Sequence, residues 1–198
     1  RGRIFSTYMI VYLTAVTAGQ MSLVFFDPAQ ITMFVVAGIL FILALVPTSL
    51  TLLPAPQPPA RTVLNLRRLY ALSPVGALGA FAVGLANGAF GTLGPVFAQN
   101  IGFTTTGVAI FMSVALVAGA SAQFPFGRLS DAIDRRRVIG GVSVIGAAAG
   151  VAMVGFASPG IVGYALVIGF GIAAYSLYGL VVAHANDHAD PSEFVLVS

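Results

Sequence analysis

Residues 127–139 read Gly-Arg-Leu-Ser-Asp-Ala-Ile-Asp-Arg-Arg-Arg-Val-Ile and are flanked on both sides by long uncharged stretches. No Asp, Glu, Lys or Arg occurs at positions 69–127 or 138–182. A helix needs about 20 apolar residues to cross roughly 30 Å of hydrocarbon, so each stretch is long enough for two crossings. The segment is therefore predicted to be a short basic turn between two membrane-spanning helices, in which Asp131 can pair with Arg135 across one helical turn.

The basic residues of the whole chain follow the same pattern. All nine are arginines, and long stretches without a basic residue separate them into clusters. Basic residues that flank membrane spans stay on the cytoplasmic side, and an even number of crossings returns the chain to that side. We therefore expect every cluster to be cytoplasmic, together with residues 54–70, 127–137 and 184–190. The clusters are Arg1 and Arg3; Arg61, Arg67 and Arg68; and Arg128, Arg135, Arg136 and Arg137.

The composition excludes a soluble globular protein. Only 8% of the residues are charged and 58% are hydrophobic, with a mean hydropathy of +0.99, whereas a soluble domain carries about 25% charged residues. The lipid bilayer is therefore the predicted partner of this surface. The net charge of +3 does not indicate nucleic-acid binding, because the arginines flank apolar spans and form no basic patch with stacking aromatics. The chain contains no Cys, which excludes disulfides and thiolate metal sites.

The chain is predicted to be an all-α, polytopic transmembrane helix bundle. A transmembrane barrel would show segments of about ten residues with alternating polarity, and the long stretches rich in Ala, Gly and Leu do not alternate. Hydropathy predicts six spans and the start of a seventh. The spans are residues 4–26, 28–53, 74–98, 106–126, 138–157 and 159–183.

Four Asp-Pro or Ser-Pro pairs predict where helices begin. Ser or Asp accepts a hydrogen bond from the first turn, and Pro suits the first helical position. The last pair is followed by Ser192-Glu193 as in a capping box, which predicts a seventh helix that has only begun at Ser198. Because the chain also lacks an initial Met, we expect a fragment of a longer protein. The pairs are Asp27-Pro28, Ser73-Pro74, Ser158-Pro159 and Asp190-Pro191.

This pattern predicts three parts of the chain. Residues 1–53 would form the end of an N-terminal half-bundle with two transmembrane helices. Residues 54–70 begin Pro-Ala-Pro-Gln-Pro-Pro and carry three arginines, which indicates a cytoplasmic central loop that is extended at first. Residues 71–198 would form part of a C-terminal half-bundle, with four transmembrane helices and the start of a fifth.

The charged turn resembles the signature loop of the major facilitator superfamily of transporters, Gly-x-Leu-Ala-Asp-Arg-x-Gly-Arg-Lys. The resemblance implies the fold of that family and secondary active transport of a small solute by alternating access. It also implies that the motif latches the cytoplasmic side, and that the spans here are the fifth to the tenth of twelve. The matching residues, a predicted gating motif, are Gly127, Leu129, Asp131, Arg135 and Arg136.

The segment departs from the family pattern at three positions. Ser130 stands for Ala, Ala132 for a basic residue and Asp134 for the second Gly. Asp134 is therefore an alternative partner for a neighbouring arginine. In the family the motif Asp faces the start of another helix, a favourable place for a carboxylate, and Asp190-Pro191 is the candidate for Asp131 to face. Without the family, the segment is a tight basic turn that determines topology.

Other segments resemble the YcaD-like branch of bacterial transporters within this superfamily. They are the tail that begins at His184, the pair Ser73-Pro74 and the N-terminal Arg1-Gly2-Arg3. The resemblance implies a multi-pass protein of the bacterial inner membrane with a small-molecule substrate. It names neither the substrate nor a coupling ion, and we expect a monomer.

Glycines inside the spans predict close contacts between helices. Gly127 would permit such an approach, and Gly84-x3-Gly88 and Gly146-x3-Gly150 have the matching spacing. The functional alternative is a helix that bends during alternating access.

Polar side chains inside the spans are candidates for a substrate cavity. Polar groups are costly in lipid and usually face the protein interior or a water-filled cavity. Ordinary hydrogen bonding between helices is the alternative role of each one. The family resemblance favours the third and sixth spans as cavity-lining helices. The candidates are Asn87, Tyr175, Tyr178 and Gln20, and Gln123 and Ser176 are also polar.

Other functional classes find less support in the sequence. A channel would show a ring-forming filter or a charged lining, and an intramembrane enzyme would need a pair such as Ser–His within the spans. His184, Asp187 and His188 lack a further strong ligand for a metal. We therefore predict no catalytic residue, cofactor or metal, and a non-transporting structural membrane protein stays an alternative. No titratable carboxylate, His or base lies at mid-membrane depth, so proton coupling would need such a group elsewhere in the protein.

Overall fold

The computed structural model describes residues 2–27, 29–50 and 66–187, and nearly all of these residues are helical. The predicted all-α architecture is confirmed, since no strand occurs in the described ranges. The central loop up to residue 65 and the predicted helix start at Asp190-Pro191 lie outside them. The helices are α1 (Gly2–Met21), α2 (Ile31–Ser49), α3 (Leu66–Leu72), α4 (Pro74–Asn100), α5 (Thr105–Ala132), α6 (Arg135–Phe156) and α7 (Ile161–Asn186).

Four helices of the described part, α4 to α7, are long and apolar enough to cross a membrane. They correspond to the third to sixth predicted spans, and each extends beyond at least one of the predicted boundaries. Within the second predicted span, the apolar part of α2 is shorter and covers Ile31–Pro47. The helices also carry large apolar side chains on their outer faces, such as Phe81 of α4 and Val154 of α6, which a soluble protein would rarely expose in such number.

The predicted helix start at Ser73 is confirmed, whereas the one at Asp27 is wrong. The Ser73 hydroxyl accepts a hydrogen bond from the amide of Gly76 at 3.0 Å, and α4 begins at the following proline. The Asp27 carboxylate instead accepts from the amide of Ala29 at 2.9 Å. That contact, two residues along the chain, is an Asx turn, so Asp27 shapes the connection before α2 and does not cap the helix.

The predicted start at Ser158 is also wrong. α7 begins at Ile161, and its N-cap is Gly160, with a φ of 101° that favours glycine. The carbonyl oxygen of Ser158, not its hydroxyl, accepts from the amide of Gly163 at 3.1 Å. A Ser-Pro pair therefore marks the turn before the helix here, and the predicted start is two residues early.

α7 is the centre of the described bundle, because it packs against α4, α5 and α6, while α1 packs against α5. The α5–α7 contact is the tightest. A Cβ atom at Gly119 would lie 2.5 Å from the carbonyl oxygen of Gly171, and one at Gly171 would lie 2.7 Å from the Cα of Ala115. No side chain fits in that space, so these glycines allow the two helix backbones to approach directly.

The predicted glycine contacts are mostly elsewhere. Gly84, Gly88 and Gly127 meet no described atom within 4 Å of an added Cβ, so the predicted close approaches at these positions are wrong for the described part. Gly84 and Gly88 are exposed, and Gly127 lies beside a groove that separates it from α7. Gly146 does lie against α7, where a Cβ would come within 2.7 Å of the Cβ of Ala173, but the other glycine of that pair meets nothing.

An aromatic cluster fills the core between the middle of the bundle and the α4–α5 connection. Phe111 is fully buried, and its ring lies 5.6 Å from that of Phe103 and 6.3 Å from that of Phe90. Lipid tails are as apolar as these side chains, so van der Waals packing, more than removal from water, stabilises such a cluster in a membrane. The opposite end of the bundle carries the charged segment.

Candidate functional site

The charged segment is built from the ends of two helices. α5 continues through Ala132 and α6 starts at Arg135, so only Ile133 and Asp134 connect them. The prediction of a turn over the whole segment is therefore wrong, and most of it is helical. Asp134 explains the sharp break, because its carboxylate accepts from the amide of Arg136 at 2.9 Å and caps α6. Residues 127–137 are called the charged junction below.

Arg135 is the centre of the charged junction. Its Nη2 atom lies 2.9 Å from Oδ1 of Asp131, and its Nη1 atom lies 3.3 Å from Oδ2 of Asp187. The predicted Asp131–Arg135 pair is thus confirmed, although it bridges the break between α5 and α6 and not one turn of a single helix. The Asp187 contact was not predicted, because only the fold brings the end of α7 to this place. One guanidinium therefore joins three helices.

Arg135 is more buried than either of its acidic partners. Its side chain is 16% exposed, against 73% for Asp131 and 54% for Asp187. The Nε atom of Arg135 is buried and has no hydrogen-bond partner among the described residues. A buried charge costs free energy unless it is paired, so the two carboxylates offset the partial burial of the guanidinium. The alternative partner Asp134 makes no ion pair in the described part, because it caps α6.

The five predicted motif residues have different environments. Gly127, Asp131 and Arg135 line a groove of about 310 Å³ between α5 and α7. Leu129 and Arg136 are exposed and face away from this groove. Of the predicted set, the structure therefore brings together Gly127, Asp131 and Arg135 only.

Asn87 connects α4 to α7. Its Nδ2 atom donates to the carbonyl oxygen of Ala174 at 3.3 Å, while its buried Oδ1 atom has no partner among the described residues. Tyr175, which follows Ala174 in α7, is half-buried, and its backbone carbonyl oxygen accepts from Nε2 of Gln123 at 3.5 Å. Tyr178 is exposed, one turn along α7. Asn87 of α4 thus contacts the turn of α7 that contains Tyr175, whose own side chain packs against Gly119 of α5.

Gln20 lies on a different pair of helices. Its Oε1 atom accepts from the hydroxyl of Ser113 at 3.1 Å, and Ser113 is only 6% exposed. This contact joins α1 to α5. Ser176, buried in α7, donates to the carbonyl oxygen of Gly119 at 3.5 Å. The side chains of Asn87, Gln123, Gln20 and Ser176 therefore make the hydrogen bonds between helices that were the alternative to a cavity role, and Gln20 is separate from the Asn87 region.

A family comparison places this architecture. The model of the Major Facilitator Superfamily matches residues 1–197 of the chain. The chain belongs to the major facilitator superfamily. It is accordingly a multi-pass membrane protein, which agrees with four apolar helices of transmembrane length in the described part.

A curated relative of the chain supports the predicted YcaD-like branch. The chain is 26% identical over 143 residues to the "Uncharacterized MFS-type transporter YcaD" of Escherichia fergusonii. The aligned region is 70% of this chain and 37% of that protein, so the chain spans well under half of the relative's length. No solved structure matches the chain significantly.

Two features of this superfamily member were not predicted from its sequence. The first is the Arg135–Asp187 pair, for which an unpaired acid at the end of an apolar span was the available signal. The second is a groove of about 510 Å³ between α4, α6 and α7, whose described lining has Ser143 as its one hydroxyl side chain. Its apolar lining offers a polar solute few hydrogen bonds, so it adds no substrate site to the candidates.

Proposed function

We propose that this protein is part of a secondary transporter that moves a small solute across the bacterial inner membrane by alternating access. It would act without catalysing a chemical reaction, as expected for a transporter of this superfamily. The observation that carries the proposal is the Arg135 link at the charged junction. Family membership supports the general class, and the geometry supports the gating role.

The gate would work through Asp131. Arg135 holds one oxygen of this carboxylate, and Asp187 holds Arg135 in turn, so the orientation of Asp131 depends on the end of α7. The Asp131 side chain is still 73% exposed, which leaves it available to a second partner when the cytoplasmic side closes. Exposed ion pairs contribute about 0.2–1 kcal/mol each, so such a latch is weak enough to open in every cycle.

The solute would bind beside α4 and α7. Asn87 bonds to the carbonyl of Ala174 there, and Tyr178 lies one turn further along α7. Tyr175 follows Ala174, and its side chain packs on the α5 side against Gly119. The unpaired Oδ1 atom of Asn87 supports this location, because a buried acceptor without a partner is costly and a solute donor would satisfy it. Gln20 would act at the contact between the two half-bundles, residues 1–53 and 71–198, through its bond to Ser113.

Cysteine accessibility tests the proposal without knowledge of the solute. Single cysteines at Tyr178 and Gln20 are labelled in right-side-out and inside-out vesicles that contain the full-length protein. If access alternates, Asp131→Asn should raise the labelling rate in one vesicle orientation and lower it in the other. The substitution would open one side of the transporter at the expense of the other. In a channel, the labelling rates from the two sides would instead change in the same direction. Labelling rates that stay the same in Asp131→Asn would contradict the proposed gate.

A further inference from the structure

We propose that an anionic phospholipid binds at the exposed side of the charged junction, with its headgroup phosphate held by Arg128, Arg136 and Arg137. This inference goes beyond the proposed transport function and does not require it. It concerns the three arginines of the charged junction that take no part in the Arg135 ion pairs.

Among the described residues, the three arginines have no acidic partner. Arg135 takes the two carboxylates of Asp131 and Asp187. In the part of the chain that the structure describes, no ion pair or hydrogen bond involves the guanidinium of any of the other three, and all three side chains are exposed. Their positions are Arg128 near the end of α5, and Arg136 and Arg137 in the first turn of α6.

One carboxylate lies among them and reduces the positive charge. Asp134 accepts from the backbone amide of Arg136 at 2.9 Å, so it is held at the start of α6. Four arginines, Arg135 included, against the three carboxylates of Asp131, Asp134 and Asp187 leave a formal local charge of +1. The excess positive charge selects an anion.

Arg128 is positioned by an aromatic ring. Its Cζ atom lies 4.1 Å from the centre of the Phe124 ring, within the range of a cation–π interaction. Phe124 is one turn further into α5 and is 65% exposed, so its ring faces the surroundings of the bundle. The pair therefore holds a cation directly beside an apolar surface, which is the arrangement found where headgroups meet hydrocarbon.

The apolar surface continues around the arginines. Ile133 in the connection and Val144 on α6 are both largely exposed. All of these side chains lie within about two and a half turns of the helix ends, roughly 14 Å. A soluble phosphate would gain nothing from this surface, whereas the acyl chains of a phospholipid would cover it. The combination of unpaired arginines and exposed apolar side chains thus favours a lipid.

Native mass spectrometry of the purified full-length protein tests the site. Phosphatidylglycerol and phosphatidylcholine with identical acyl chains are titrated separately, and bound lipids are counted. Since one arginine near an anionic membrane raises affinity about fivefold, we expect the protein to retain phosphatidylglycerol at least that much better. The double variant R128Q/R137Q should lose the preference, and neither position belongs to the gating motif. Arg67→Gln on α3, which removes an exposed arginine elsewhere, is the matched control and should keep it.

Two further measurements distinguish a lipid site from a nonspecific basic surface and from a site for soluble anions. Phe124→Leu keeps an apolar side chain but removes the ring, and should weaken phosphatidylglycerol binding about two- to fivefold. The wild-type preference should also fall as salt rises, which needs no variant. Equal retention of the two lipids, or equal loss in Arg67→Gln, would overturn the proposal. Competition by glycerol phosphate at the same concentration as the lipid would also overturn it, since that result indicates a soluble-anion site.

Discussion

The guanidinium of Arg135 lies 3.3 Å from the carboxylate of Asp187, and this contact joins the first turn of α6 to the residue that follows α7. The same guanidinium holds Asp131 at 2.9 Å. A displacement of the end of α7 therefore reaches Asp131 through a single side chain. The charged junction is thus coupled to the helix that carries Tyr175 and Tyr178.

Replacing Asp187 by Asn should weaken this coupling. An exposed ion pair contributes about 0.2–1 kcal/mol, so we expect the equilibrium between inward- and outward-open forms to shift by up to about fivefold. The measurement is the labelling rate of a cysteine at Tyr178. Asp27→Asn, an exposed acid in another connection, is the control and should leave the rate unchanged. Equal effects of the two variants would argue against the link.

Replacing Asp131 by Asn should slow transport and leave expression in the membrane intact. Arg135→Gln should have the larger effect, because it removes both ion pairs and the cation that orients Asp131. Uptake or efflux rate, normalised to the amount of protein in the membrane, is the measurement. An unchanged rate in Asp131→Asn would leave the junction with a role in topology only.

Gly119→Ala should destabilise the protein, because its Cβ would lie 2.5 Å from the carbonyl oxygen of Gly171 and the backbone there cannot move aside. Overpacking of this kind costs about 1–3 kcal/mol, or several degrees in the midpoint of thermal unfolding in detergent. Gly84→Ala is the matched control. Nothing lies within 4 Å of its added Cβ, and Ala favours a helix, so its midpoint should not fall.

Replacing either partner of the Gln20–Ser113 bond should loosen the contact between α1 and α5. Hydrogen bonds between membrane helices are worth about 0.6 kcal/mol on average, so the expected coupling energy in a double-mutant cycle of Gln20→Ala and Ser113→Ala is of that order. Thermal unfolding provides the four free energies. The control is a cycle of Gln20→Ala and Ser121→Ala, because Ser121 is exposed on α5, the helix that carries Ser113. Its coupling energy should be near zero.

The predicted orientation can be checked with single cysteines at Asn100 and Arg136, both of which are exposed. A membrane-impermeant maleimide should label the first in intact cells and the second only after permeabilisation. This expectation follows from the arginine distribution. Labelling in the opposite order would reverse the whole topology, including the cytoplasmic assignment of the charged junction.

The parts of the fold that were predictable are local in sequence. Apolar length gave α4 to α7, and a spacing of four residues gave the Asp131–Arg135 pair. The contacts between distant segments were not predictable, because Asp187 and Gln20 each have many possible partners before the helices are packed. An available signal was overlooked for Gly119, which follows Ala115 at the spacing of two small residues on one helix face.

The misplaced helix starts have a common physical reason. Ser or Asp before Pro satisfies the free amides of a first turn, but it also stabilises an isolated turn. At Ser73 the helix follows at once, whereas Asp27 and Ser158 are followed by further non-helical residues. Sequence alone does not separate the two cases, since the difference depends on how the connection meets the neighbouring helices.

The connection between α5 and α6 consists of Ile133 and Asp134 alone. Two extended residues reach about 7 Å at most, so the end of α5 and the start of α6 must stay close together in every conformation. Any added or deleted residue here would rotate α6 about its axis and separate Arg135 from both acids. Relatives that keep the ion pairs should therefore show no length variation between these helices, however much their residues differ.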